Sequence, residues 1–294
     1  MLDYRIETFL VVCQYMNFTK AAEFLNITQP AVSNHIKQLE EYYDVLLFKY
    51  EGRKIYLTRE GKMLYDAMVT LHNNEIYLKE QIRHEKDERD IFRFGTTLTI
   101  GEFLISDNLE RFILTHPRAS VHMDVANTKE LLEKLDMGDL DFAIVEGNFN
   151  KPDYGHIPYR TEEFIPVCSV HNPLADKTVT LSQLLKERLI VREEGSGTRE
   201  ILENVLEQKN YRISDFDNVL EICNMSAIKK LVMRDCGITL LYKCAVQNEL
   251  ENGEIARINI KGLRMKHEMY AIWNKDNLFS EYYEHILREL IAIA

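Results

Sequence analysis

Gln29, Ser33, Asn34 and Lys37 fall at helical spacings. Gln and Asn each offer a donor and an acceptor that match base edges, and Lys offers a cation for phosphate, so this chemistry is recognition of DNA rather than bond breaking. A second set lies in the last two hundred residues. Thr97-Leu98-Thr99, Ser196-Gly197-Thr198 and Met225-Ser226 each open a predicted helix just after a predicted strand, and Glu146 ends a further strand. Hydroxyls and free backbone N–H groups at such junctions suit an anion: a carboxylate, a phosphate or an inorganic oxyanion. Glu146 counts against a purely anionic ligand. No HExxH, P-loop or GxGxxG occurs, and Gly195-Ser196-Gly197 lacks the spacing of the G-x-S-x-G elbow. The expectation is therefore a binding protein and not an enzyme, with no cofactor and no metal site.

The first set must be carried by short helices. Ile6, Phe9, Leu10 and Cys13 define one helix face, Ala21-Ala22 allow a second helix to cross closely, and Thr28 with Pro30 starts a third. That third helix buries Val32, Ile36 and Leu39 and leaves the polar set outward. A helix-turn-helix reads this way, and so does a three-helix bundle with a polar face in solvent. The next segment favours DNA. Lys49, Arg53, Lys54 and Arg59 stand against the single Glu51, with Glu51-Gly52-Arg53-Lys54 as a hairpin turn and Ile55-Tyr56-Leu57 as a returning strand: a basic wing. Arg53, Lys54 and Lys37 are the expected phosphate contacts.

Thr58 can cap a long helix from Arg59. Along it Leu64, Met68, Leu71, Glu75, Leu78 and Ile82 step by four and three residues, the seam of a coiled coil that pairs with a second copy. The charged run from His84 to Asp90 reads as a hinge. Beyond it strand and helix alternate: Phe92–Gly95, a helix Ile100–Thr115, Val121–Val125, a helix Lys129–Met137 and Phe142–Val145. The rhythm resumes with Leu189–Val191, a helix Arg199–Lys209, Val219–Ile222, a helix Ala227–Arg234 and Ile238–Leu241. These are βαβ units, expected to form two similar lobes with largely parallel sheets.

Bulk properties agree. The chain has 294 residues, 46% hydrophobic and 28% charged, with net charge −11, enough for about two domains. An acidic total excludes a uniformly basic nucleic-acid coat but not a local basic patch. No apolar run is long enough to span a membrane and no secretory signal opens the chain, so a soluble cytoplasmic protein is expected. The five cysteines are scattered without a Cys-x-x-Cys pair. An alternative regulator would be redox-responsive through Cys223 with Cys236 or Cys244.

Ala21-Ala22, Leu25, Thr28-Gln29-Pro30-Ala31-Val32-Ser33, Ile36, Leu39-Glu40, Leu47-Phe48 and Leu57-Thr58-Arg59-Glu60-Gly61 resemble, without gaps, the signature of LysR-type transcriptional regulators. The resemblance implies an α+β and α/β architecture. It comprises a winged helix-turn-helix (residues 1–58), a dimerising linker helix and hinge (59–90) and a two-lobed effector-binding domain (91–294) like periplasmic solute-binding proteins. Lobe one would take residues 91–161 and 268–294, and lobe two 162–267. Implied partners are promoter DNA, a small-molecule effector and further copies of the chain, as a homodimer and homotetramer. Two positions depart from the family pattern. Asn34 stands where a basic residue is common, which alters the expected base preference, and Asp44 stands where glycine is common.

Overall fold

The computed structural model describes residues 3–52, 54–84 and 91–292. Helices α1 (Tyr4–Tyr15), α2 (Phe18–Leu25) and α3 (Gln29–Tyr43) form the head, followed by strands β1 (Phe48–Glu51) and β2 (Lys54–Leu57). Each helix start is satisfied locally: Asp3 accepts from Arg5 N, Asn17 from Thr19 and Lys20 N, and Thr28 from Ala31 N. Asp44 closes α3 in the left-handed region at φ 53°, where a short polar side chain substitutes for glycine. Phe9, Val12, Ala21, Val32, Ile36, Leu39 and Leu47 make the core, each of the larger ones worth about 1.5–3 kcal/mol of burial.

Helix α4 (Arg59–His84) begins as expected, with Thr58 Oγ1 accepting from Gly61 N at 2.9 Å. Gly61 is needed there because a Cβ would meet the Leu47 carbonyl oxygen at 2.1 Å. The seam divides in two. Leu64 and Met68 pack on the head's own core, whereas Leu71, Leu78 and Ile82 are exposed. Between Leu71 and Leu78, Asn73 donates to the carbonyls of Leu135 and Asp136 in the next domain, and Asn74 accepts from Leu278 N. The charged run after His84 lies outside the described residues.

The second domain opens with β3 (Ile91–Thr96), α5 (Leu98–Phe103), α6 (Ser106–Thr115), β4 (Ser120–Val125), α7 (Thr128–Met137) and β5 (Phe142–Val145). It continues with β6 (Tyr154–Ser169), β7 (Thr178–Val179), α8 (Leu181–Leu184), β8 (Arg188–Val191), α9 (Gly197–Glu207) and β9 (Asn218–Glu221). It closes with α10 (Met225–Met233), β10 (Thr239–Tyr242), α11 (Gln247–Glu251), β11 (Ile255–Arg257), β12 (Asn259–Ile260), β13 (Met265–Asn274) and α12 (Ser280–Ile291). The single helix expected over residues 100–115 is two. Leu104 and Ile105 are both buried, and consecutive inward side chains force a turn in which Ile105 N as well as Leu104 N bonds to the Ile100 carbonyl.

One sheet runs β10-β6-β13-β5-β3-β4, with β11 also on β6. Strands β3, β4 and β5 are parallel, as are β8 and β9, but β6 and β13 are antiparallel to each other and to their other partners. The large sheet is thus mixed rather than largely parallel, while the small β8–β9 and β7–β12 pairs are parallel. The first half of β6 and the second half of β13 complete the sheet of β3 to β5. The second half of β6 carries β10 and β11, and backbone hydrogen bonds from Ile190 N to the Ile238 carbonyl and from Ile238 N to the Arg188 carbonyl join β8 to this group. Two lobes therefore share two long strands.

Candidate DNA-reading head and effector cavity

Gln29, Pro30, Asn34 and Lys37 are exposed on α3 and Ser33 is half-buried beside them. Gln29 Nε2 donates to Ser33 Oγ at 2.8 Å, which aims the amide along the helix face. Thr28 is exposed but its hydroxyl oxygen serves as the cap, so its part is to start the helix. Lys37 lies 3.5 Å from Glu41, a solvent-exposed pair of small worth that a phosphate can displace. In the wing Glu51 faces Lys54 across the hairpin; Lys54 is exposed, and Arg53 lies outside the described residues. Lys49 is engaged by Glu51 at 2.9 Å. Tyr50, 67% exposed on the same strand, is a surface that charge counting could not reveal.

The second set converges in part. A cavity of about 380 Å³ between the lobes is lined by Thr97, Leu98, Glu146, Ser196 and Gly197, all anticipated, and by Asn127, Arg192, Glu193 and Cys223, which were not. Thr99 and Thr198 sit behind it, fully buried, and donate to Glu146 Oε1 at 3.3 and 3.1 Å. Gly197 is required for that approach, since a Cβ there would meet Glu146 Cγ at 2.8 Å. Thr198 and Glu146 belong to different lobes, and Asn148 makes a second bridge by donating to Glu200 on α9 at 2.8 Å.

The third junction does not take part in the same way. Met225 is buried in the apolar core of lobe two, Ser226 is exposed, and the start of α10 is closed by Asn224, whose side chain accepts from Ala227 N. The helix-start rule misplaced these two residues because it does not register a helix that caps itself. Applied to the end of β8, the strand-end rule that singled out Glu146 points to Arg192, one residue beyond Val191. That signal was present in the sequence.

Electrostatics set the cavity's character. Burial pushes the Glu146 carboxyl up to about 7, against the opposing hydrogen bonds of Thr99 and Thr198 and the charge of Arg192. Burial alone would raise Glu193, but paired hydrogen bonds from Arg192 Nε and Nη2, both 2.7 Å, hold it below its ordinary value. Three lining residues carry a buried polar atom with no partner: Thr97 Oγ1, Glu146 Oε2 and Arg192 Nη1. Ser196 makes no side-chain cap bond to α9, so the first N–H groups of that helix have no side-chain partner from it. Among the cysteines, Cys223 is exposed at the cavity rim, while burial pushes the Cys244 thiol up to about 12.

Residues 4–62 match the family described as bacterial regulatory helix-turn-helix protein, lysR family, and residues 85–292 match the LysR substrate binding domain. The HTH-type transcriptional activator CmpR of Synechocystis sp. is 30% identical, with 98% of this chain and 94% of that protein covered. The HTH-type transcriptional regulator CysL of Bacillus subtilis is 28% identical over 91% of this chain and 89% of its own length. Full-length OxyR of Pseudomonas aeruginosa shares the fold with a TM-score of 0.62 at 20% identity, covering 99% of this chain and 94% of that one. The regulatory domain of Synechocystis CcmR, solved in complex with 2-PG, gives a TM-score of 0.62 at 23% identity over 69% of this chain and 96% of its own. The chain therefore belongs to the LysR family of transcriptional regulators, with a DNA-binding helix-turn-helix head and an effector-binding domain.

Proposed function

We propose that the effector of this regulator is a small organic acid that also carries a hydrogen-bond donor, held between the lobes by Thr97, Glu146, Arg192, Ser196 and the start of α9. The observation that carries this reading is the set of unpartnered buried atoms in one cavity. Arg192 Nη1 needs an acceptor, and Glu146 Oε2 can accept a donor or, when protonated, supply one. An unsatisfied buried polar group costs about 1–3 kcal/mol, so a ligand meeting all three gains what the empty cavity loses. Glu193 occupies the guanidinium meanwhile as a tethered carboxylate, and the ligand's acid group competes with it.

Thr198 and Asn148 tie the lobes together at this cavity, so occupancy biases lobe closure, which alters how neighbouring copies pack and how their heads are spaced on DNA. Leu71, Leu78 and Ile82, exposed at seam spacing on α4, would bury themselves against a second copy, giving the homodimer from which a homotetramer is built. Gln29, Ser33 and Asn34 read bases in the major groove, and Lys37, Arg53 and Lys54 hold phosphate. The protein performs no chemical step and acts where the chromosome is, in the cytoplasm. The described residues contain no helix long and apolar enough to cross a membrane.

Calorimetric titration of the full-length protein with a panel of hydroxy- and amino-carboxylates tests the effector class. Binding of at least one acid, lost in Arg192→Met and strengthened in Glu193→Gln, is the expected pattern. Equal binding of an acid by wild type and Arg192→Met would overturn this placement.

A further inference from the structure

A second cavity, of about 810 Å³ and more than twice the inter-lobe one, lies on lobe two where β6, β11 and β12 meet the turn into β13. Three cations line it, Arg257, Lys261 and Arg264, against the single carboxylate of Glu163. That carboxylate is already engaged by Arg257 Nη1 at 3.2 Å, while Arg257 Nε is buried without a partner. Lys261 and Arg264 are exposed and pair with no acidic side chain among the described residues. Such a concentration of positive charge is unexpected in a chain of net charge −11. The half-buried Leu263 and Met265 supply an apolar edge, and Phe164 and Ile258 belong to the core beneath it.

A cavity with an apolar edge and a cationic rim favours a ligand that has both an anion and a hydrophobic body. A bare inorganic anion would leave the apolar edge wet, and a neutral hydrocarbon would leave the cations unanswered. We infer that this cavity is a second ligand site, distinct from the inter-lobe cavity, for an aryl or acyl carboxylate. Its position gives it a regulatory consequence. Phe164 and Met265 form the last pair between β6 and β13 at the lobe-two end, so a ligand seated there braces the two long strands that the lobes share. The site stands independently of the effector class proposed above, since it shares no lining residue with the inter-lobe cavity.

The test is photolabelling of the full-length protein with 4-benzoylbenzoate, followed by peptide mapping. Label is expected in the segment 257–265, displaced at least tenfold more effectively by 4-tert-butylbenzoate than by the neutral 4-tert-butylbenzamide. In the double variant Lys261→Gln with Arg264→Gln, both on the surface, labelling of that segment should fall at least fivefold while DNA binding is kept. Label confined to other segments, equal competition by the neutral amide, or unchanged labelling in the double variant would each overturn the inference.

Discussion

In the reading head, Gln29 and Asn34 stand in solvent and Thr28 has committed its hydroxyl to the Ala31 N–H, whereas in the inter-lobe cavity Thr97, Glu146 and Arg192 are buried, each with an unused polar atom. Water satisfies the first group until DNA arrives, so leaving those side chains ready costs little. The second group is buried, so a ligand that gives each of these atoms a partner gains more from each contact than it would at an exposed surface. On the proposed reading, a head built this way would accept many DNA sequences with graded preference, and a cavity built this way would discriminate sharply among small molecules, because each wrong ligand leaves a buried atom unanswered.

The largest effect that would sharpen this contrast is at Arg192. Arg192→Met should lower effector affinity by about a hundredfold, the loss of a buried charge-assisted contact worth about 3 kcal/mol, while effector-free DNA affinity changes less than twofold. Calorimetry and anisotropy on the same preparation separate the two. In the head, Asn34→Ala should cost about 1–3 kcal/mol of discrimination at one base pair, read by binding to single-substitution operators, and leave effector binding untouched. Loss spread evenly over every position would break the division between reading and gripping.

Titration offers a third effect. Glu146 is raised by burial to about 7 and Asp136, also by burial, to about 6, so the folded chain binds more protons than the unfolded chain above the ordinary carboxyl range. Stability should therefore fall as pH rises from the ordinary carboxyl range through these values, by at most about 1.4 kcal/mol for each pH unit by which a carboxyl is raised. Glu146→Gln should flatten that fall in urea titrations at pH 5 and pH 8. An anionic effector should correspondingly bind more tightly at pH 6 than at pH 8. The smallest effect belongs to Lys54→Ala, which should weaken binding to all DNA sequences a few-fold and reduce the salt slope by about 1.

Much of the head could be read in advance because its signals are local. Thr28, Pro30, Asp44 and Thr58 each set a helix end through their own backbone neighbours, and apolar spacing fixes the three-helix core. The two long strands of the effector domain were not legible as strands. β6 contains Pro158, Pro166 and the run Thr161-Glu162-Glu163, which speak against a strand. Pairing with β13 overrides them, with the register shifting between Met269 and Tyr270 as the strand passes Pro158. Within the cavity, Glu146, Thr97 and Ser196 followed from their positions at strand ends and helix starts. Arg192 stands one residue beyond the end of β8, a position the same rule reaches, whereas Glu193 matters through its paired hydrogen bonds with Arg192, and side-chain pairing leaves no trace in apolar periodicity. Met225 was misplaced for the converse reason: an apolar residue at a helix start can simply join the core.

Fluorescence anisotropy of labelled DNA from upstream of the protein's own gene, titrated with wild type and Arg192→Met in the presence and absence of hydroxy- and amino-carboxylates, addresses coupling between cavity and head most directly. Preference for that DNA over a scrambled duplex, shifted by at least one acid in wild type and unmoved in the variant, is the predicted result. A shift of equal size in both proteins, or no shift with an acid that calorimetry shows to be bound, would contradict it.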